Sequence, residues 1–208
     1  CGKYQDYLLE DPPKIYYALF REMAHLAAWD HHGRYDDLLG PRQNFTMEQT
    51  LSSLGSRKPL KKKRIESVRN SADLMMSQAI DFALNVAPQI FTRAGKDKQQ
   101  LQKMKDEIME FAPFFDDLKL FLGSDSDYVA AMHANLQADN AYFWPDEHGD
   151  LDIGVFDWCA FGRVPFILLF MGCLSGAEAA MLDEHEAGLM QMFCDEYKRY
   201  GGPHINVE

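Results

Sequence analysis

Tyr128 to Trp158, YVAAMHANLQADNAYFWPDEHGDLDIGVFDW, carries the chemistry-bearing pattern of this sequence. Its residues predict a loop, His133–Asn140, opening into two short β-like runs, NAYFW and LDIGVFDW, with the turn-forming PDEHGD between them. An antiparallel hairpin over Tyr142–Phe156 is therefore expected. Each end of it carries a group able to ligate a hard cation, Asn140 through its amide oxygen and Asp157 through its carboxylate. Two such oxygens suit magnesium bound to phosphates, because that ion keeps several waters and takes few protein ligands.

The same residues resemble a motif of small-molecule kinases of the aminoglycoside phosphotransferase and choline kinase type, which carry His-Gly-Asp-Leu-His-x-x-Asn, a hairpin, then Asp-Trp or Asp-Phe. His133, Leu136 and Asn140 fall on the family's His, Leu and metal-binding Asn, and Asp157-Trp158 on its metal-binding Asp and aromatic neighbour. Where the family places the catalytic Asp that orients and deprotonates the substrate hydroxyl, this chain has Asn135, an amide that cannot accept a proton. Loss of a general base typically costs about 10²–10⁴ in rate. Ala134 replaces the family's Gly and Gln137 its second His. The resemblance covers the C-terminal lobe only. It implies a mainly α fold with a small β-hairpin, like the helical C-lobe of a protein-kinase-like fold with the N-lobe absent.

The remaining sequence suits such a lobe. The 208 residues are enough for one domain with a polar and basic loop at about 40–64 and a helical hairpin insertion at about 65–115. A net charge of -11 opposes binding to nucleic acid or an anionic membrane surface. The longest apolar run, Pro165–Leu174, is too short to span a bilayer and reads as a buried helix. Cys1, Cys159, Cys173 and Cys194 show no zinc-like or redox spacing, so packed, reduced thiols are expected, in keeping with a soluble protein of a reducing compartment. The sequence begins at Cys1 without an initiator Met, and a processed or truncated N terminus is the corresponding expectation.

Taken in order, Asp11-Pro12-Pro13 starts a helix whose Ile15, Leu19, Met23 and Leu26 share a face, ending near His31-His32-Gly33. Asp30, His31 and His32 are adjacent and point in different directions, which favours a solvated helix end over a metal site. Gly40–Pro59 reads as a connecting loop with room for one helical turn. It leads into Arg57-Lys58 and Lys61-Lys62-Lys63-Arg64, a basic run read as a solvated segment ahead of a helix. From Ile65 to Ile90 an apolar residue recurs every three or four positions, through Ala72, Met75, Ala79, Phe82 and Val86. Lys98–Phe111 repeats the period, and Gly95-Lys96-Asp97 turns between the two helices. A last helix starts near Ala177 and stops at Gly201-Gly202-Pro203.

No Gly-x-Gly-x-x-Gly loop, Val-Ala-Ile-Lys strand, Walker loop, Gly-x-Ser-x-Gly elbow or His-Glu-x-x-His helix occurs. Asn140 and Asp157 would thus form half a nucleotide site. The expectation is a pseudokinase lobe that works through protein partners in a larger complex, with Asn135 and His133 at inactive catalytic positions, a vestigial magnesium pair and no cofactor. Two alternatives stay open. One is a hydroxyl phosphotransferase using Mg and ATP, whose N-lobe lies outside this sequence; the other is a relative that binds a ligand in the remnant cleft.

Overall fold

Asp11 accepts a hydrogen bond from Lys14 N at 3.3 Å, so α1 (Pro12–His31) begins where the cap and the first-turn prolines both favour a helix. The computed structural model describes residues 9–54 and 62–205. After α1 come α2 (Asp36–Leu39), α3 (Met47–Leu54), α4 (Lys62–Asp81), α5 (Lys98–Phe111) and α6 (Phe115–Leu122). Four strands follow, β1 (Val129–His133), β2 (Ala141–Pro145), β3 (Leu151–Val155) and β4 (Phe161–Pro165), and then α7 (Phe166–Leu174) and α8 (Ala179–Arg199). The fold is mainly α with a small β part, and the expected hairpin is present as β2 and β3, paired from Ala141↔Val155 to Pro145↔Leu151.

The chain divides into two compact units, Cys1–Thr50 with Leu122–Glu208, and Leu51–Phe121. In the first, α1 is the central element and packs against α8, β1 and β3. Leu19, Phe20, Met23, Ala24 and Ala27 of α1 are wholly buried, as are Leu169 of α7 and Leu189, Phe193 and Tyr197 of α8. Phe20 stacks on Phe170 at 5.3 Å, and Phe166 meets Phe193 edge-on at 5.1 Å. Each such large side chain removed from water stabilises the fold by about 1.5–3 kcal/mol.

Several expectations are corrected. A second strand pair, β1 with β4, joins Val129↔Pro165 through His133↔Phe161. The alanine-rich VAAMH carries little strand signal by itself, and its partner lies far along the chain. The connecting loop holds the eight-residue α3, more than one turn. Helix α7 is only half covered: Phe166, Leu169 and Cys173 are buried, whereas Ile167, Leu168 and Met171 are exposed.

In the second unit, α4 packs on α5, and the long helix read to Ile90 ends as α-helix at Asp81, continuing as a π turn over Phe82–Val86. Its buried stripe is Ala72, Met76 and Ala83, while Met75, Phe82, Val86 and Ile90 are exposed. The buried line therefore shares Ala72 with the face that periodicity picks and from Met76 on runs one residue away from it. Of the basic run, Arg57, Lys58 and Lys61 lie outside the described residues.

Asp30 is the largest departure from the sequence reading. It is not a solvated helix end but a wholly buried carboxylate. Arg42 Nη1 donates to its Oδ2 at 2.7 Å, Arg163 Nε to Oδ1 and Oδ2 at 3.0 and 3.1 Å, and Ala131 N to Oδ2 at 3.1 Å. Arg163 also reaches Gly40 O at 2.7 Å and Asp36 Oδ1 at 2.9 Å. Removing one member of a buried ion pair strands the others, so Asp30→Ala is expected to cost about 3–5 kcal/mol. Asp36→Ala, at a half-exposed partner of the same arginine, should cost less than about 1 kcal/mol. Urea unfolding of both variants checks this, and a difference below about 1 kcal/mol would show that Asp30 does not hold the junction.

Candidate functional site

β1 ends at His133, which is fully buried, and the ring ties the loop to the far end of the hairpin. Its Nε2 lies 2.8 Å from Asp157 O and 3.1 Å from Phe156 O. Both partners are carbonyl oxygens, so Nε2 carries the hydrogen and donates to them. The buried Nδ1 is left as an acceptor without a partner among the described residues. Trp158 sets its ring against His133 edge-on at 5.3 Å and donates its indole N–H to Val155 O at 3.0 Å.

The loop between His133 and Asn140 is held from inside. Leu136 is fully buried beneath it. Asn135 O accepts from Gln137 N at 3.0 Å and from Asn140 Nδ2 at 2.7 Å. Asn140 O in turn accepts from Phe156 N at 3.1 Å, which sets Asn140 beside the chain leading to Asp157. At the other side Gln137 donates to Ser175 Oγ at the end of α7. Gly172 of α7 lets the helix touch the loop backbone, since a Cβ there would lie 2.4 Å from Ala134 O. A lone glycine within an apolar helical run is the signal that points to this contact.

Thus His133, Asn135, Asn140 and Asp157 meet at the open end of the hairpin. Asn135 and Asp157 are exposed and Asn140 is half-buried. Asp157 stands in the left-handed region, with φ 62° and ψ 52°, and is the only non-glycine described residue with positive φ. Its carboxylate takes a hydrogen bond from the exposed Cys159 thiol and, with its charge, pushes that thiol up from the ordinary range. Cys159 is therefore neither the packed sulfur expected from the sequence nor an activated nucleophile. Cys173 is buried as expected, and Cys194 is half-buried.

In chemical terms, the site offers the Asp157 carboxylate and the side-chain amides of Asn135 and Asn140. Among the described residues no group of three or more His, Cys, Asp or Glu is arranged to hold a metal ion. Asn140 and Asp157 together supply two oxygens of the kind magnesium takes when phosphates and waters complete its shell. Among the described residues no helix is long and apolar enough to cross a membrane. Comparison with family models, with curated proteins and with solved structures finds no match.

The left-handed backbone at Asp157 makes a test of its own. Glycine adopts this conformation freely, whereas a β-branched residue pays about 1–2 kcal/mol. Asp157→Gly should thus unfold at the same or higher denaturant concentration than the parent, and Asp157→Val at a clearly lower one. Equal midpoints for the two variants would show that the backbone there is unstrained.

Proposed function

We propose that this chain is a non-catalytic, kinase-like lobe that works as an interaction or structural component of a larger assembly. The observation that carries the reading is the exposed Asn135, on a loop otherwise tied down by His133, Leu136 and Asn140. It stands where the resembling family keeps its catalytic Asp, and an amide there can position a hydroxyl but cannot take its proton. Exposed apolar side chains support a role in binding partners. α7 presents Ile167, Leu168 and Met171, and on the hairpin Tyr142 and Trp144 stack at 5.2 Å while remaining exposed. Large apolar groups left in water mark surfaces that partners cover.

The second reading is a small-molecule hydroxyl phosphotransferase in which Asn140 and Asp157 hold magnesium and Asn135 orients the substrate. Their adjacency at the hairpin end favours it. It also requires a phosphate-covering glycine-rich loop and its lysine, supplied by an N-lobe outside this sequence.

Phosphate release from ATP, assayed on the protein as isolated from its own cells, with magnesium and with aminoglycosides or choline, separates the two. The parent chain is expected to match the Asn140→Ala/Asp157→Ala double variant. Asn135→Asp is expected to restore nothing, because phosphoryl transfer depends mostly on aligning the γ-phosphate and neutralising its charge. Magnesium-dependent turnover by Asn135→Asp that Asp157→Ala abolishes would overturn the scaffold reading. For the interaction role, native mass measurement of the protein isolated from its own cells should show a stable hetero-complex. A free monomer would count against it.

A further inference from the structure

Three histidines near the end of α1 face the last turns of α8, and the site above uses none of them. His25 lies between Glu22 on its own helix, at 3.5 Å, and Glu196 on α8, at 3.4 Å, with the Tyr200 ring 3.8 Å away. His32 Nε2 donates to Tyr200 O at 3.1 Å. Gly201, with φ +92°, leaves room for that ring, because a Cβ there would lie 2.3 Å from Nε2. His31 meets the ring of Tyr197 edge-on at 5.4 Å.

His31 differs from the other two in what surrounds it. Its Nε2 is buried without a hydrogen-bond partner among the described residues, as is the Tyr197 hydroxyl. The charged and titratable groups around it are Asp30 and His32 on α1, Arg42 after α2, and Tyr197 on α8. Tyr197 is itself faced by Arg42, Asp127, Asp30 and Cys194. The Asp30 carboxylate is already held by Arg42, Arg163 and Ala131 N. Burial, and then the Arg42 guanidinium, hold His31 down to about 4 from its ordinary 6.5.

We propose that the junction of α1 with the end of α8 is an acid-sensitive latch, kept shut by neutral His31 and released when a proton reaches that ring. A proton on His31 sets a second cation beside Arg42 with no acceptor for the new N–H. Lifting the end of α8 gives the ring to water, where it takes the proton at its ordinary value. Because the closed-state value is the lower one, the latch is at full strength above pH 6.5, weakens as pH falls from 6.5 toward 4, and loses nothing further below 4. His25 faces two carboxylates rather than a guanidinium, and these contacts hold the turn before the latch. The buried Tyr197 is pushed up from its usual range and stays neutral throughout.

Amide hydrogen exchange, corrected for the intrinsic pH dependence, reads the latch directly. The amides of Tyr200, Gly201 and Gly202 bond to Glu196 O, Lys198 O and Tyr197 O. In the parent chain their opening constants should rise about tenfold between pH 7 and pH 5, the full linkage being reduced by the partial exposure of the ring. In His31→Gln, which does not titrate, they should stay level, whereas His25→Gln should keep the rise. A parent chain without the rise, or a rise that survives in His31→Gln, overturns the proposal. Should His31→Gln not fold, titration of the His31 ring protons by NMR in the parent decides. A midpoint well below 6.5 supports the latch, and one at or above 6.5 overturns it.

Discussion

The Asp30 carboxylate grips both members of one cross-strand pair. Ala131 and Arg163 stand opposite each other in the β1–β4 ladder, and Asp30 accepts from the backbone of the first and the guanidinium of the second. A two-stranded sheet has two bare edges, and the N–H of Ala131 on the buried edge needs an acceptor that no third strand provides. Asp30 supplies it from α1. With Arg42 and Asp36 the cluster holds two cations and two anions, so no net charge is buried. Its energetic role follows from this balance. A buried ion pair adds little net stability over an apolar replacement, but it penalises every arrangement that leaves one partner alone. A slip of one residue in this ladder would carry Arg163 to the opposite face and strand Asp30. The cluster thus sets the register of β1, and with it the place where β1 ends and His133 begins.

From His133 onward the loop inherits its shape from contacts that do not involve the side chain of Asn135. The histidine donates to the carbonyls of Phe156 and Asp157, Leu136 fills the space beneath, and Asn140 closes the loop onto Asn135 O. In the last of these contacts it is the backbone of Asn135 that takes part. The loop would keep the same form with either an acid or an amide at this position. Shape and side-chain chemistry are therefore separable at this site.

How much of this was legible in the sequence depended on the range of the interaction. The cap at Asp11, the turn at Gly95-Lys96-Asp97, the span of α5 and the β2–β3 hairpin all follow from residues within a few positions of one another. The gathering of His133, Asn135, Asn140 and Asp157 was readable for the same reason, since a hairpin brings its two ends together whatever else it packs on. The β1–β4 pair and the Asp30 cluster were not. The strand pair is closed across an intervening loop and hairpin, and Asp30 meets Ala131 and Arg163 more than a hundred positions away; a lone Asp near a helix end looks the same in sequence whether it meets water or two arginines. Periodicity likewise locates α4 but not its buried face, because Met75 and Met76 fit a helical stripe equally well and only packing selects Met76.

Asn135 and Asp157 sit on the exposed side of the loop and His133 and Leu136 on the buried side, and this division bears on how such a site changes. A substitution at a buried position has to repack the core and re-satisfy a hydrogen bond, with losses of several kcal/mol at stake. At an exposed position the same chain tolerates exchange within a few tenths of a kcal/mol. Selection for folding alone would therefore preserve His133 and Leu136 and leave Asn135 free to vary. Asp157 is the intermediate case, because its left-handed backbone favours glycine over any other residue, and folding alone would not choose an aspartate there. A carboxylate at this exposed, left-handed position beside Asn140 is thus, like the amide of Asn135, a feature of the loop for which stability gives no reason.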